Sequence, residues 1–363
     1  MRQKLLITLT VISISFTAFL AGYLISQTDF HRNPNSNSTG NVLDKFSNSS
    51  PDSSTQALSS GTLRLLSQRS AISPVISKDS DAVTFYEKGT GKVFEVTLKN
   101  PTEKVLSDAL LPNLIKTIWS PNKKEVVSLF YSPQGTHYKY YNSTTKTSVD
   151  LGTHIKSLSF SPSGDHVAYF ETGSDYNRIF ISQPDGTVSK KMLNSRLESP
   201  DLYWPSENDI AFKTNTPGGP LKEVLFGLST NGDLTDLLEQ RQGLQVKWSG
   251  DGKKILFSSS ESGILNLSYK DYNGTDFEPE VSLGVSTLAS KCVWSIDDKS
   301  VICGVPKSSS AGDEIYKISL DGTKKLLSSP SSNISVGEIF LSNLEDYVII
   351  LNSLDNKLYV LNK

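Results

Sequence analysis

Residues 117–131 read TIWSPNKKEVVSLFY: a short apolar segment ending in Trp119, a Ser-Pro-Asn-Lys-Lys turn signal, then a second apolar run. That is the make-up of a tight β-hairpin. The same order returns at 158–171 (LSFSPSGDHVAYFE), 202–214 (LYWPSENDIAFKT), 246–259 (VKWSGDGKKILFSS) and 292–305 (CVWSIDDKSVICGV). Weaker copies at 74–87 (PVISKDSDAVTFYE) and 339–352 (IFLSNLEDYVIILN) open and close the array. Taking the residue before the motif serine or its equivalent, the anchors are Ile76, Trp119, Phe160, Trp204, Trp248, Trp294 and Leu341, spaced by 43, 41, 44, 44, 46 and 47 residues. A unit of that size cannot bury its own apolar faces, so successive units must stack on one another.

Each unit continues alike. A variable loop leads to a third strand such as RIFIS (178–182), LFGLS (225–229) or IYKIS (315–319), then to a turn such as QPDGT (183–187) or LDGT (320–323), and to a short fourth strand. Period-two alternation of apolar residues is expected along the second strand of each hairpin. Seven repeats of four antiparallel strands predict an all-β, seven-bladed β-propeller over residues 61–363. The last repeat stops after a third-strand segment, KLYVLNK (357–363), whereas GTLRLLSQ (61–68) is similar to the turn and fourth strand GTKKLLSS (322–329). Strand 62–68 is therefore expected to pair with 357–361 and close the last blade, leaving no unsatisfied sheet edge between the first and last blades.

The SPSG (161–164), SGDG (249–252) and SPNK (120–123) turns, each followed by a lysine-rich or apolar strand, resemble the TolB-type propeller repeat. The propellers of prolyl-oligopeptidase relatives share it. The resemblance spans residues 62–363 and implies a fold more than an activity. The Gly-His and Trp-Asp pairs of WD repeats are absent from the sequence.

Composition limits the partners. Net charge is -2, with 36 basic and 38 acidic residues interspersed, so no basic stripe exists for nucleic acid. Residues 5–25, LLITLTVISISFTAFLAGYLI, carry no charge and as a helix reach about 30 Å, the thickness of a bilayer core. Arg2 and Lys4 precede this stretch and Asp29 follows it. The expected arrangement is a cytoplasmic tail (1–4), a transmembrane signal-anchor helix (5–25) and an extracytoplasmic remainder, periplasmic or at the cell surface. About half of residues 31–60 are Ser, Asn or Thr, so 26–60 reads as a disordered, flexible linker with a reach of roughly 30 Å.

Few residues suggest chemistry. The four Trp share one repeated position, which points to packing between blades. Tyr138, Tyr140 and Tyr141 crowd one strand and read as packing too. Cys292 and Cys303 flank one hairpin, where outside the cytoplasm they can join in a disulfide or remain as opposed thiols. There is no GxSxG elbow and no zinc spacing. On these grounds the chain is expected not to be an enzyme and to need no cofactor or metal.

The topology separates two faces. First-to-second and third-to-fourth turns lie on one and are short. Second-to-third loops and blade-to-blade links lie on the other, where ETGSDYN (171–177), TNTPGGPLKE (214–223), SSSESG (258–263) and PKSSSAGDE (306–314) differ in length and composition. Variable loops on a rigid scaffold are where binding usually sits. The candidate site is therefore this loop face, with Tyr176, Asn177, Pro217, Gly218, Gly219, Pro220, His137 and His154. The expected role is a membrane-anchored scaffold for an envelope protein or polymer. A carbohydrate-active enzyme or lyase using His137 and His154, and a ligand-sensing subunit of a membrane complex, are the alternatives.

Overall fold

The computed structural model describes residues 61–77, 81–215, 222–272, 277–308 and 311–363. The membrane helix expected at 5–25 and the linker at 26–60 lie outside them. Among the described residues no helix is long and apolar enough to cross a membrane.

The described residues form five antiparallel sheets of four strands and one of seven. The seven-stranded sheet is two blades sharing one strand, so the sheets resolve into seven blades. Blade 1 runs from Ala71–Ile76 to Glu103–Ser107, blade 2 from Leu114–Trp119 to Thr147–Gly152, and blade 3 from Ile155–Phe160 to Lys190–Ser195. Blade 4 begins at Asp201–Ser206 and blade 5 ends at Val281–Ser282. The strand they share, Leu234–Trp248, is the fourth strand of blade 4 and the first of blade 5, turning at Gly243 with φ +63°. Blade 6 runs from Cys292–Trp294 to Lys324–Ser328. Blade 7 comprises Val336–Leu341, Tyr347–Asn352 and Leu358–Asn362, and its fourth strand is Leu63–Leu65.

That last pairing joins the two ends of the ring. Leu63 lies opposite Leu361, Arg64 opposite Val360 and Leu65 opposite Tyr359. Backbone bonds from Leu66 N–H to Leu358 C=O (2.8 Å) and Gly61 N–H to Asn362 C=O (3.3 Å) extend it on both sides. The Arg64 guanidinium also donates to the Leu98 carbonyl of blade 1.

The core lies between blades. Six apolar clusters of described residues each draw on two neighbouring blades, for example Val83, Phe85 and Phe94 of blade 1 with Ile349, Leu358 and Val360 of blade 7. This overturns one expectation about the strands. The second strands do not alternate: Ala82–Tyr86, Val167–Phe170 and Val301–Cys303 are buried at every position. Each lies mid-blade with another blade on either side, so both of its faces leave water.

The repeated serine has a structural role. Oγ of Ser120, Ser161, Ser249, Ser295 and Ser342 accepts the backbone N–H five residues on, at 2.8–3.2 Å, and closes the turn between first and second strands. The residue three places after the serine donates its N–H back to the serine carbonyl and adopts positive φ: Lys123, Gly164, Gly252, Asp298 and Glu345. Trp119 and Trp294 donate their indole N–H to Ser73 and Lys247 carbonyls of the preceding blades, at 3.0 and 3.1 Å. That is the expected inter-blade role. Tyr138 and Tyr140 are likewise buried between blades 2 and 3.

Candidate functional site

On the loop face the candidate residues have separate roles. Tyr176 is exposed, with the Arg196 guanidinium 6.0 Å from its ring centre. Asn177 is half-buried and holds the loop shut: its amide donates to the Leu197 carbonyl at 2.6 Å and its carbonyl accepts Gly173 N–H at 3.1 Å. It positions Tyr176 more than it presents itself. His137 is half-buried and stacked on Phe130, ring centres 5.6 Å apart. His154 is exposed, and its backbone carbonyl accepts Thr172 N–H at 3.0 Å. Among the described residues no group of three His, Cys, Asp or Glu is placed to hold a metal. Pro217, Gly218, Gly219 and Pro220 lie outside the described residues.

The loop end of blade 2 carries the exposed apolar residues Leu110 (66% exposed), Ile115 and Tyr131 (60%), and Ile264 on blade 5 and Leu354 on blade 7 are exposed on the same face. The Tyr131 N–H donates to the Asn113 carbonyl at 3.0 Å, which holds the end of this strand against the link carrying Leu110. On the short-turn face the exposed apolar residues Val188, Leu234, Ile296 and Leu344 stand one to a blade.

Ion pairs at the blade seams escaped the sequence reading. The Lys213 ammonium, largely buried, reaches Glu223 at 2.8 Å, Asp201 at 3.3 Å and the Leu244 carbonyl of blade 5 at 3.1 Å. Burial lowers its pKa, and the two carboxylates outweigh that and raise it above the ordinary value. Lys291 meets both oxygens of buried Asp313, which also accepts Val336 N–H of blade 7 at 2.7 Å. No spacing could reveal these pairs, because each joins separate strands. Cys292 and Cys303 are register partners on adjacent strands, with Cα atoms 4.1 Å apart, and form a buried disulfide.

A cavity of about 610 Å³ lies on the axis and is formed by blades 1, 2, 5 and 7 together with Ser290 of the link before blade 6. Its wall is apolar along Val75, Ile76, Ile339, Phe340 and Leu341, and polar where Lys123, Lys247, Glu338 and Ser290 reach it. Most of these residues belong to the short-turn half of their first strands, so the cavity faces away from the loops that the sequence singles out. Protein surrounds the Lys247 ammonium on most sides, and this desolvation lowers its pKa to about 8 against the opposing pull of Glu338. Desolvation raises Glu338 and lowers Lys123. The Lys247 charge opposes the rise of Glu338, which is itself exposed.

No protein-family model and no curated protein matches this sequence. Solved structures do. An oligogalacturonate lyase in complex with manganese matches with a TM-score of 0.59 at 10% identity, over 84% of this chain and 98% of that one. An oligogalacturonate lyase from Vibrio parahaemolyticus gives 0.60 at 10% identity, over 86% and 95%. An acylaminoacyl peptidase from Pyrococcus horikoshii gives 0.55 at 10% identity, over 78% of this chain and 49% of that one. TolB from Acinetobacter baumannii matches at 0.47 and 15% identity, and this chain covers 62% of its length, less than two thirds. The fold is a TolB-like propeller. The expectation that the chain is not an enzyme is corrected by the same matches. A lyase and a peptidase are carried on this scaffold without either being legible from a TolB-type repeat, so the lack of an elbow motif or a histidine cluster does not decide against catalysis.

Proposed function

We propose that this chain is a membrane-tethered propeller that presents its loop face to a partner protein outside the cytoplasm. The apolar cluster Leu110, Ile115 and Tyr131 carries the reading. Single exposed apolar residues are ordinary on a protein surface, and three on one link and the two strands that follow it are the best candidates for a contact site. Tyr176, on the neighbouring blade, adds an exposed aromatic held by a pinned loop. The direction of the closing strand agrees: Leu63–Leu65 runs from the short-turn face to the loop face, so the preceding chain leaves on the short-turn side. A tether from residues 5–25 then turns the loop face away from the membrane.

The test is site-specific photo-crosslinking of the full chain in its native membranes. A crosslinking residue at Leu110 or Tyr131 is expected to capture one discrete protein. The same residue at Leu344, on the opposite face, is expected to capture none. Identical products from both faces, or no product from either, would refute the reading.

A further inference from the structure

We propose that the axial cavity binds a compact organic anion, its acidic group held between the Lys247 and Lys123 ammonium groups and its apolar body against Ile339, Phe340 and Leu341. This site is separate from the loop face and stands without the partner reading.

Three observations converge. The cavity has the size of a small-molecule site, and its lining divides into an apolar wall and a small polar group that can fix orientation. Neither ammonium has an ion-pair partner within 4 Å among the described residues, whereas Lys213, Lys254 and Lys291 each find a carboxylate. Among the described residues Glu338 is the one acid lining the cavity, and the two lysines outnumber it.

The third observation concerns the backbone at Lys123. Its place in the turn demands positive φ, which blades 3 and 5 meet with Gly164 and Gly252. A side chain there is strained and persists where something offsets the strain. At Asp298 and Glu345 that use is visible. The Asp298 carboxylate accepts the N–H groups of Gly250 and Asp251, and the Glu345 carboxylate accepts that of Ile296, each stitching one turn to the turn of the preceding blade. Lys123 makes no such bridge among the described residues and reaches the cavity instead. A ligand contact supplies the use that its neighbours in the motif find in the backbone.

Calorimetry on the full chain in lipid nanodiscs provides the test, with naphthalene-2-sulfonate, whose charge does not change with pH, and neutral naphthalene-2-sulfonamide as probes. The sulfonate is expected to bind about 10-fold more tightly than the sulfonamide at pH 7, the worth of one charge-assisted contact. Lys247→Gln and Lys123→Gly should each remove most of that preference. Lys123→Gly also relieves backbone strain, so its loss of binding cannot be ascribed to misfolding. Glu338→Gln, which deletes the opposing charge, should tighten the sulfonate and leave the sulfonamide unchanged. Among the described residues, Lys123 and Glu338 are the other ionisable groups lining the cavity. Raising the pH from 7 to 9 should weaken the sulfonate as Lys247 loses its proton, and this loss should vanish in Lys247→Gln. Equal affinity for the two probes, no measurable sulfonate binding up to millimolar concentration, or a preference indifferent to both lysines would each overturn the proposal.

Discussion

Lys247 sits in the first strand of blade 5 because the repeat puts a residue there, one place before the motif tryptophan. What makes it unusual is contributed by blades 1, 2 and 7 and the link before blade 6, whose side chains close the cavity around it. Its pKa in the folded protein, about 8, lies below the ordinary 10.5. Between those values the unfolded chain holds the extra proton, so stability rises with pH across that window, and below it the charged ammonium costs the folded state. Lys247→Met is therefore expected to be more stable than the parent at pH 7, by about 1 kcal/mol because Lys247 is only partly buried, and to lose the advantage at pH 10.5. Urea unfolding at the two pH values checks this, and a constant difference would contradict it. The motif serines, by contrast, were legible in the sequence as turn formers, since the N–H each one caps lies five residues away in the same repeat. The uses of Lys123, Asp298 and Glu345 were not, because each depends on a neighbour more than 40 residues distant.

At the level of strands, the closing segment shows how far repeat logic reaches. GTLRLLSQ was readable as a displaced fourth strand because it matches GTKKLLSS, and Leu63–Leu65 does pair with Leu358–Asn362. The pattern inside the second strands misled, because a single sequence does not say that both faces of a blade are covered. Nor did it show that one strand, Leu234–Trp248, would serve two blades without a loop between them. Ring closure is worth more than the three paired residues suggest, since losing it exposes the edge of Leu358–Asn362 and one side of the cluster shared by blades 7 and 1. Deleting residues 61–68 is expected to lower the melting temperature by about 10 °C or more, while deleting 31–60 leaves it unchanged. Calorimetric scans of the two deletions measure the contrast, and similar melting temperatures would contradict it.

For the whole molecule, the fold was legible and the site only in part. Periodicity and turn chemistry are local properties repeated seven times, so errors in one copy are corrected by the others. A binding site is not repeated: the exposed apolar residues of the loop face lie on a blade-to-blade link and two strands of blade 2, and the axial cavity draws unlike residues from different repeats, five of them from blade 7. The membrane tether is a property of residues 5–25 and is tested as one. The full chain is expected to stay with the membrane pellet in alkaline carbonate, and a form lacking residues 5–25 to be released; release of both would refute the tether. The closure of the ring also sets an order of events in biosynthesis. Leu63 and its partner Leu361 are separated by 298 positions, so the strand made first is the last to find its place. At about 5–20 residues per second, some 15–60 seconds pass between the two. Throughout that interval the early strand of every nascent chain stays unpaired, and it is a template for the last strand of a copy already completed. The molecule is thus most exposed to mispairing during its own translation, and factors that hold the early strand apart until the final residues emerge would act at that moment.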